Sequence, residues 1–290
     1  MKNYPYDFFG NVVVVKFPFG IKQTEKKKFA ESLMRRQKSV KTVLEKIGKF
    51  KGRLRKQETK YVAGEKTKEI LYKENNCVFR LNIDKTYFSP RLSNDRKEIA
   101  KQVKKGEEVL VMFAGVAPYS IVIAKNSQAR KVYSNEINRE ANKYAEMNIE
   151  LNKLKNRVVL VPGDIKMVVR RLSRHRSQPP TQRNVELLRT DLKNRAQREK
   201  LSETPEKFDV IVMPRPQLKE SFLREAFMLS KKGTRIFYHD FISVSEKNLV
   251  LEKIKNEARK AKKKIKILRI KNAGEIAPYK LRVRIDIRVL

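Results

Sequence analysis

The sequence predicts an α/β protein: a Rossmann-like domain with a doubly wound, mostly parallel sheet and a C-terminal antiparallel hairpin, preceded by a small α+β domain. From Arg96 onward, strand-like segments alternate with helical patterns, which is typical of a parallel sheet covered by helices. The last two strand-like segments are joined only by residues 271–280, which is too short for a crossover connection. Residues 1–85 mix strand and helix patterns without that alternation.

In this first region, residues 11–17 are β-branched and bounded by glycine and proline, which predicts a strand. Residues 24–47 lack glycine and proline and space their apolar residues as a helix does. They therefore predict one helix, or two helices broken near Lys38. Gly48 predicts the helix end, and residues 78–83 predict another strand.

The second region, residues 86–290, predicts a series of strands separated by helices. The strands are predicted at residues 109–113, 131–134, 158–161, 209–213, 234–239, 265–270 and 281–290. The main helical patterns cover residues 139–151, 219–229 and 246–264. One segment, at about residues 170–206, interrupts the rhythm with a Pro-Pro pair and a basic stretch.

The charge of the chain is strongly unbalanced, with 69 Lys and Arg against 32 Asp and Glu and a net charge of +37. Such a surface attracts polyanions, and counterion release favours binding to nucleic acid. The alternative is a lysine-rich proteome in which exposed helix faces are generally basic. A membrane surface is the weaker partner, because the basic residues are not massed beside a lipid-anchoring helix. The insertion at 170–206 is correspondingly either a solvated segment or an added RNA-contacting arm.

Cysteine and histidine are too few for several classes of site. Cys77 is the only cysteine, so no intrachain disulfide or cysteine-based metal cluster is possible. Two histidines, His175 and His239, make a histidine-rich zinc site improbable, and no metal is predicted. The apolar run at residues 12–15 is too short for a signal segment or a membrane span. We therefore expect a cytoplasmic protein, and a monomer.

Three polar or small-residue positions follow three consecutive predicted strands. Residues 109–120, VLVMFAGVAPYS, join a buried strand to a helix through a turn of small residues that allows close approach of a ligand. Glu136 ends the next strand, where a carboxylate can accept two ribose hydroxyls, and Asp164 follows the third. Taken singly, each acid is an ordinary helix N-cap or surface charge. Together they predict a nucleoside cofactor, and the incomplete glycine fingerprint argues against a nicotinamide dinucleotide.

A family resemblance becomes specific at residues 87–96, YFSPRLSNDR, followed by MFAGVAPYS at residues 112–120. The chain resembles the archaeal and eukaryotic tRNA (guanine-N1)-methyltransferases, which methylate position 37 beside the anticodon. Further similar segments are residues 38–44, 52–55, 62–65 and 238–241. The resemblance implies a class I methyltransferase domain, S-adenosylmethionine as cofactor and the tRNA anticodon stem-loop as partner. It also implies that residues 1–85 position the RNA.

The resemblance implies roles for individual residues. Asp95, where the family has Glu, would remove the proton from guanine N1, and an apolar environment that raised its pKa would make it a better base. Arg55 would stabilise charge on guanine O6. The implied cofactor-binding residues are Tyr87, Arg96, Phe113, Gly115, Ala117, Glu136, Ile137, Asp164, Ile165 and Pro216. Arg91 and Arg215 would bind substrate. The alternatives are an acid at a helix N-terminus for Asp95 and a surface arginine for Arg55.

Three departures from the family pattern bear on function. Val111 and Ala117 stand where the family has Asp and Gly, and Pro214-Arg215-Pro216 replaces Asn-Leu-Pro. The chain also starts at the second domain of the family, so we expect recognition without a separate N-terminal module. Three functions remain open: guanine N1-methylation, an aminocarboxypropyl or methyl transfer of the wybutosine pathway at the same position, and non-catalytic RNA binding.

Overall fold

The computed structural model describes residues 3–52, 54, 56–174, 204–214, 220–243, 246–277 and 280–290. It confirms the predicted fold class. The large sheet has the strand order β12-β13-β11-β10-β7-β8-β9. The strands β7 (Glu108–Met112), β8 (Lys131–Glu136), β9 (Val158–Pro162), β10 (Phe208–Met213) and the long β11 (Ser230–Ser243) pair in parallel. The strands β12 (Ile265–Ala277) and β13 (Lys280–Val289) form the predicted antiparallel hairpin beside β11.

Helices cover both faces of this sheet. Helices α2 (Ser93–Gln102), α3 (Pro118–Asn126) and α4 (Arg139–Leu151) pack on one face, and α2 follows a single 3-10 turn. Helices α5 (Ile165–Arg174), α6 (Leu223–Met228) and α7 (Lys247–Lys260) pack on the other. The strands are buried on both sides: alternate residues of β7 belong to the two cores, which explains why these strands are nearly continuous apolar runs.

The N-terminal region forms a four-stranded sheet in the order β1-β2-β3-β4. Its strands are β1 (Tyr6–Phe9), β2 (Val12–Val15), β3 (Thr42–Lys51) and β4 (Lys56–Gly64), and helix α1 (Gln23–Arg36) packs against it. A separate hairpin, β5 (Glu69–Glu74) and β6 (Cys77–Asn82), follows. Its apolar residues belong to the same core as α2, α3 and α4. The division at residue 85 stays a prediction.

The predicted helix over residues 24–47 is wrong in its second half. The chain leaves α1 at Arg36, and β3 begins at Thr42 between β2 and β4. Val43 packs toward α1 while Leu44 packs toward the large core, so β3 is buried on both faces and its apolar residues do not alternate. Gly48 does not end a helix: it lies within β3 with φ +66°, where the pairing with β4 becomes irregular.

The basic segment predicted at about residues 170–206 lies mostly outside the described residues, since only its first residues are seen as the end of α5 and its last ones from Thr204 onward. In the described part of the chain, no helix is long and apolar enough to cross a membrane.

Candidate active site

A cavity of about 660 Å³, including its open mouth, lies at the carboxyl edge of the large sheet. Residues that follow β7, β8, β9 and β10 form its wall, which is where a doubly wound sheet binds ligands. The structure brings together seven of the residues predicted to bind cofactor: Tyr87, Phe113, Gly115, Glu136, Ile137, Asp164 and Ile165. Sequence reasoning missed Leu54, Asn135, Asn138, Ala141 and Gly163, which also line it.

The turn after β7 is held in shape by Glu136. Phe113, Gly115 and Ala117 all have positive φ, between +58° and +65°, so the backbone curls tightly between β7 and α3. A Cβ added at Gly115 would lie 3.3 Å from the Tyr87 carbonyl oxygen, which makes this a close approach of two chain segments. The Gly115 backbone N–H donates to Glu136 Oε2 at 2.7 Å, and the Asn138 N–H donates to Oε1 at 2.7 Å.

Asp164 has two local roles. Its side chain accepts a hydrogen bond from the Lys166 backbone N–H at 2.9 Å, and its carbonyl oxygen accepts from the first turn of α5. It is therefore the helix N-terminal acid that the alternative interpretation expected. It also lines the cavity together with Ile165 and the turn residue Gly163. Asn135 stabilises that turn, because its side-chain amide donates a hydrogen bond to the Gly163 carbonyl oxygen at 3.0 Å.

Asp95 lies in a buried polar cluster that four elements build. Its Oδ2 accepts from the Tyr119 hydroxyl at 2.6 Å and lies 2.8 Å from His239 Nε2. Its Oδ1 accepts from the Arg284 guanidinium at 2.6 Å, and Arg284 also pairs with Asp286. Asp95 lies on α2, Tyr119 on α3 and His239 on β11, whereas Arg284 and Asp286 both lie on β13.

The environment of Asp95 is the opposite of the apolar one that would make it a better base. Burial acts to raise the pKa of the Asp95 carboxyl, but the charge and hydrogen bond of His239, with Arg284 and the Tyr119 hydroxyl, outweigh it. The pKa is held well below its ordinary value, so Asp95 is a carboxylate throughout the neutral range. Burial and the adjacent Asp95 raise the pKa of Tyr119 well above its usual range, so the tyrosine stays a hydrogen-bond donor.

Three predicted residues lie elsewhere. Arg96 is buried, and its guanidinium forms two 2.5 Å hydrogen bonds with Glu74, so it ties α2 to β5 and is not part of the cavity wall. Arg91 is exposed and pairs with Asp7 of β1 at 2.6 Å. Ala117 is fully buried at the start of α3, behind the lining residues of its turn.

Three further predicted residues cannot be placed relative to the cavity. Arg55, Arg215 and Pro216 lie outside the described residues. Their neighbours Leu54 and Pro214 line the cavity.

The sequence offered little signal for the partners of Asp95. The last strand alternates apolar residues with Arg and Asp, a pattern typical of an edge strand with a solvated charged face. In the structure that face is covered by α2, and Arg284 and Asp286 are buried. The only indication in the sequence that Arg284 and Asp286 neutralise each other is their opposite charge two positions apart on one strand.

Comparison with known proteins shows the family to which the chain is similar. The family described as TRM5/TYW2 methyltransferase domain matches residues 70–177. A Nanoarchaeum equitans protein, named tRNA (guanine(37)-N(1))/4-demethylwyosine(37)-methyltransferase Taw22, is 33% identical and the match covers 98% of this chain and 99% of that one. Trm5b from Pyrococcus abyssi has a crystal structure that is 30% identical, with a TM-score of 0.77, over 98% of this chain and 74% of the other.

A complex of aTrm5 with tRNALeu is also similar, with 25% identity and a TM-score of 0.76, over 99% of this chain and 72% of that one. The Taw22 relative matches over essentially its whole length. The chain therefore belongs to the TRM5/TYW2 family of S-adenosylmethionine-dependent tRNA methyltransferases.

Proposed function

We propose that this protein transfers the methyl group of S-adenosylmethionine to N1 of guanine 37 of tRNA, next to the anticodon. The observation that carries the proposal is the position of the cavity. Its acidic side lies after β8 and β9, and the turn after β7 connects it to α3, whose Tyr119 contacts the Asp95 carboxylate. Asp95 itself is buried and does not line the cavity, but its partner His239 contacts the carbonyl oxygen of Met213, whose neighbour Pro214 does line it.

The residues of the cavity fit the adenosyl part of the cofactor. Gly115 leaves room where a side chain would press on the Tyr87 backbone, and Glu136 offers a carboxylate on the side of the ribose. Asp164 and Ile165 are proposed to contact the adenine, with Phe113 and Ile137 as apolar walls. When bound, S-adenosylmethionine supplies an electrophilic methyl group on a sulfonium sulfur.

We propose that Asp95 accepts the guanine proton. Guanine N1 forms a bond to the methyl carbon, the carbon–sulfur bond breaks toward sulfur, and the N1 proton passes to the carboxylate. All three donors now on Asp95 stabilise its charge, so one of them must give way to the guanine N1–H. Its low pKa makes Asp95 a weak base, so the step depends on acidification of N1 by a cation at O6. Arg55 is proposed for that role, and Arg91 and Arg215 for contacts with the RNA.

The direct test is methyl transfer from labelled S-adenosylmethionine to tRNA transcripts with guanine or adenine at position 37. We expect label only in the guanine transcript and N1-methylguanosine as the product by nucleoside mass spectrometry. Asp95→Asn should lower the single-turnover rate about 100-fold or more, whereas Glu150→Gln, on an exposed face of α4, should not. Equal labelling of both transcripts, or another product nucleoside, would refute the proposal.

A second candidate is methylation of the wybutosine precursor at the same position. It is favoured by the Taw22 relative, whose name includes both guanine 37 and 4-demethylwyosine 37. The same assay on tRNA that carries 4-demethylwyosine separates the two, since a methyl product there would add this activity. The mass of the product also distinguishes methyl from aminocarboxypropyl transfer.

We also propose that the protein recognises the anticodon stem-loop of tRNA, acts as a monomer and is located in the cytoplasm.

A further inference from the structure

Arg282, at the start of β13, is a buried cation without a carboxylate partner among the described residues. Its side chain is 8% exposed, and its Nε has no hydrogen-bond partner. One NH2 group donates to the Tyr87 hydroxyl at 3.3 Å, and the guanidinium lies 4.8 Å from the centre of the Phe241 ring. This contrasts with Arg284, two residues away on the same face, which contacts both Asp95 and Asp286.

An unpaired charge buried in a protein is unfavourable unless a ligand completes it. In a chain of 69 basic residues, selection for charge alone would place an arginine on the surface, not under an aromatic ring. The Nε is buried without a partner, and the NH2 group has only a weak bond to a neutral hydroxyl, so the described residues do not compensate the charge of the guanidinium. Arg282 therefore has the properties of an anion-binding residue.

The sheet topology places Arg282 beside the cofactor cavity. The strands β7, β10 and β11 are parallel, so their carboxyl ends share one edge. Because β13 is antiparallel to β11, its first residues lie at that same edge, with Arg282 opposite Phe241. Tyr87, which contacts Arg282, is part of the cavity wall.

The cavity itself carries acids but, among its described lining residues, no lysine or arginine. Glu136 and Asp164 lie on the β8–β9 side, and Arg282 lies toward β11, on the opposite side of β7. Arg282 does not line the cavity itself, but Tyr87 does and contacts Arg282, so a ligand with its adenosine on the acidic side can extend its other end toward the Tyr87–Arg282 pair. In S-adenosylmethionine that other end carries an α-carboxylate.

We propose that Arg282, together with the Tyr87 hydroxyl, binds the α-carboxylate of the methionine part of S-adenosylmethionine. The assignment rests on the proposed cofactor site. An RNA phosphate is a poorer fit, because Arg282 is buried beneath Phe241 and Tyr87 and the phosphate backbone stays outside. The target guanine is neutral and offers a buried cation less compensation than a permanent anion does.

The test compares two ligands that differ only in the amino-acid part. S-adenosylhomocysteine retains the carboxylate, whereas 5′-methylthioadenosine lacks both the carboxylate and the amino group. Calorimetry measures both dissociation constants for the wild type, for Arg282→Met and for Arg288→Met, an exposed position on the same strand. We expect Arg282→Met to raise the dissociation constant of S-adenosylhomocysteine at least about tenfold, which is the effect of one charge-assisted contact. The dissociation constant of 5′-methylthioadenosine should stay within about twofold of the wild-type value. Arg288→Met should change neither.

Two results would overturn the assignment. If both ligands bound more weakly by the same factor, Arg282 would only support the shape of the cavity. If the affinity for S-adenosylhomocysteine were unchanged, Arg282 would bind a different anion, even if methyl transfer to tRNA fell. Failure of the wild type to bind either ligand would contradict the proposed cofactor site instead. If Arg282→Met does not fold, Arg282→Lys keeps the charge but loses the planar fork, and the same ligand-selective loss is required of it.

Discussion

At the scale of single residues, the Asp95 cluster is the most concentrated charge arrangement in the described part of the protein. One carboxylate receives three hydrogen bonds within 2.8 Å from a tyrosine, a histidine and an arginine. His239 lies between two oxygen atoms: its Nε2 is 2.8 Å from Asp95 Oδ2, and its Nδ1 is 3.3 Å from the Met213 carbonyl oxygen. The cluster therefore links the strand end at the cavity mouth to α2.

This arrangement predicts a pH-dependent contribution to stability. Since the folded pKa of Asp95 is lowered, its stabilisation is complete above the unfolded value of about 3.9 and is lost as pH falls toward the lower folded value. Asp95→Asn should reduce the free energy of unfolding by about 3 kcal/mol at pH 7, the low end for a broken buried pair because Asp286 still neutralises Arg284. Urea denaturation of both proteins at pH 7, 4 and 2 measures it. A difference that did not shrink below pH 4 would contradict the mechanism.

Glu136 carries the corresponding prediction for the adenosine side. Glu136→Gln keeps the length of the side chain but removes the charge that receives the Gly115 and Asn138 N–H groups. We expect the affinities for S-adenosylhomocysteine and 5′-methylthioadenosine to fall together, by about tenfold. Glu146→Gln, exposed on α4, is the matched control. A loss confined to S-adenosylhomocysteine would show that Glu136 does not serve the adenosine part.

At the scale of elements, two asparagines attach the β5–β6 hairpin to the methyltransferase domain. Asn148 on α4 and Asn152, which directly follows the helix, pair with the backbone of β6 as a neighbouring strand would. Asn148 accepts from the Arg80 N–H at 2.7 Å and donates to the Arg80 carbonyl at 3.1 Å. Asn152 makes the same two bonds with Val78, at 2.9 and 2.7 Å. The helix thus covers a strand edge that is otherwise unpaired.

Removing the two hydrogen bonds between Asn148 and β6 should destabilise the contact between this strand and α4. Asn148→Ala leaves the N–H and carbonyl of Arg80 without their partners and should destabilise the protein by about 2 kcal/mol. Glu146→Ala, on the exposed face of the same helix, should have little effect. Hydrogen exchange at the amides of Arg80 and Val78 would localise the change. Unchanged protection of the Arg80 amide would disprove the role of Asn148.

The element scale also shows where sequence patterns mislead. The strands β7 to β10 were predicted to within two residues at each end, because parallel strands buried on both faces are compact apolar runs between polar loops. The strands β11 and β12 were predicted at less than half their length. The strand β3 is buried on both faces as well, but its spacing of Val40, Val43, Leu44 and Ile47 also fits a helix. Pairing with β2 and β4 decides between them, and no local pattern contains that information.

At the scale of the whole molecule, we expect the net charge of +37 to dominate the binding of tRNA. We expect the affinity for tRNA to fall by about 100-fold or more between 50 and 200 mM salt, because counterions released into more concentrated salt gain less entropy. Binding of S-adenosylhomocysteine should hardly change over this range, since its site is a recessed cavity with local partners. Filter binding for tRNA and calorimetry for the cofactor measure both. A flat salt response for tRNA would argue against phosphate-dominated recognition.

Short-range patterns along the chain sufficed to predict the α/β class and the edge of the sheet at which the cavity lies. Apolar strand runs, and the polar or small residues that directly follow them, also indicated the turn with Phe113 and Gly115, and the acids Glu136 and Asp164. The wall residues Tyr87, Ile137 and Ile165 were implied by the family resemblance instead. Long-range packing brings His239 and Arg284 to Asp95 from 144 and 189 residues away in the chain, and it also buries Arg282. Whether a charged strand face meets water or a helix depends on what packs over it, and that is a property of the assembled fold.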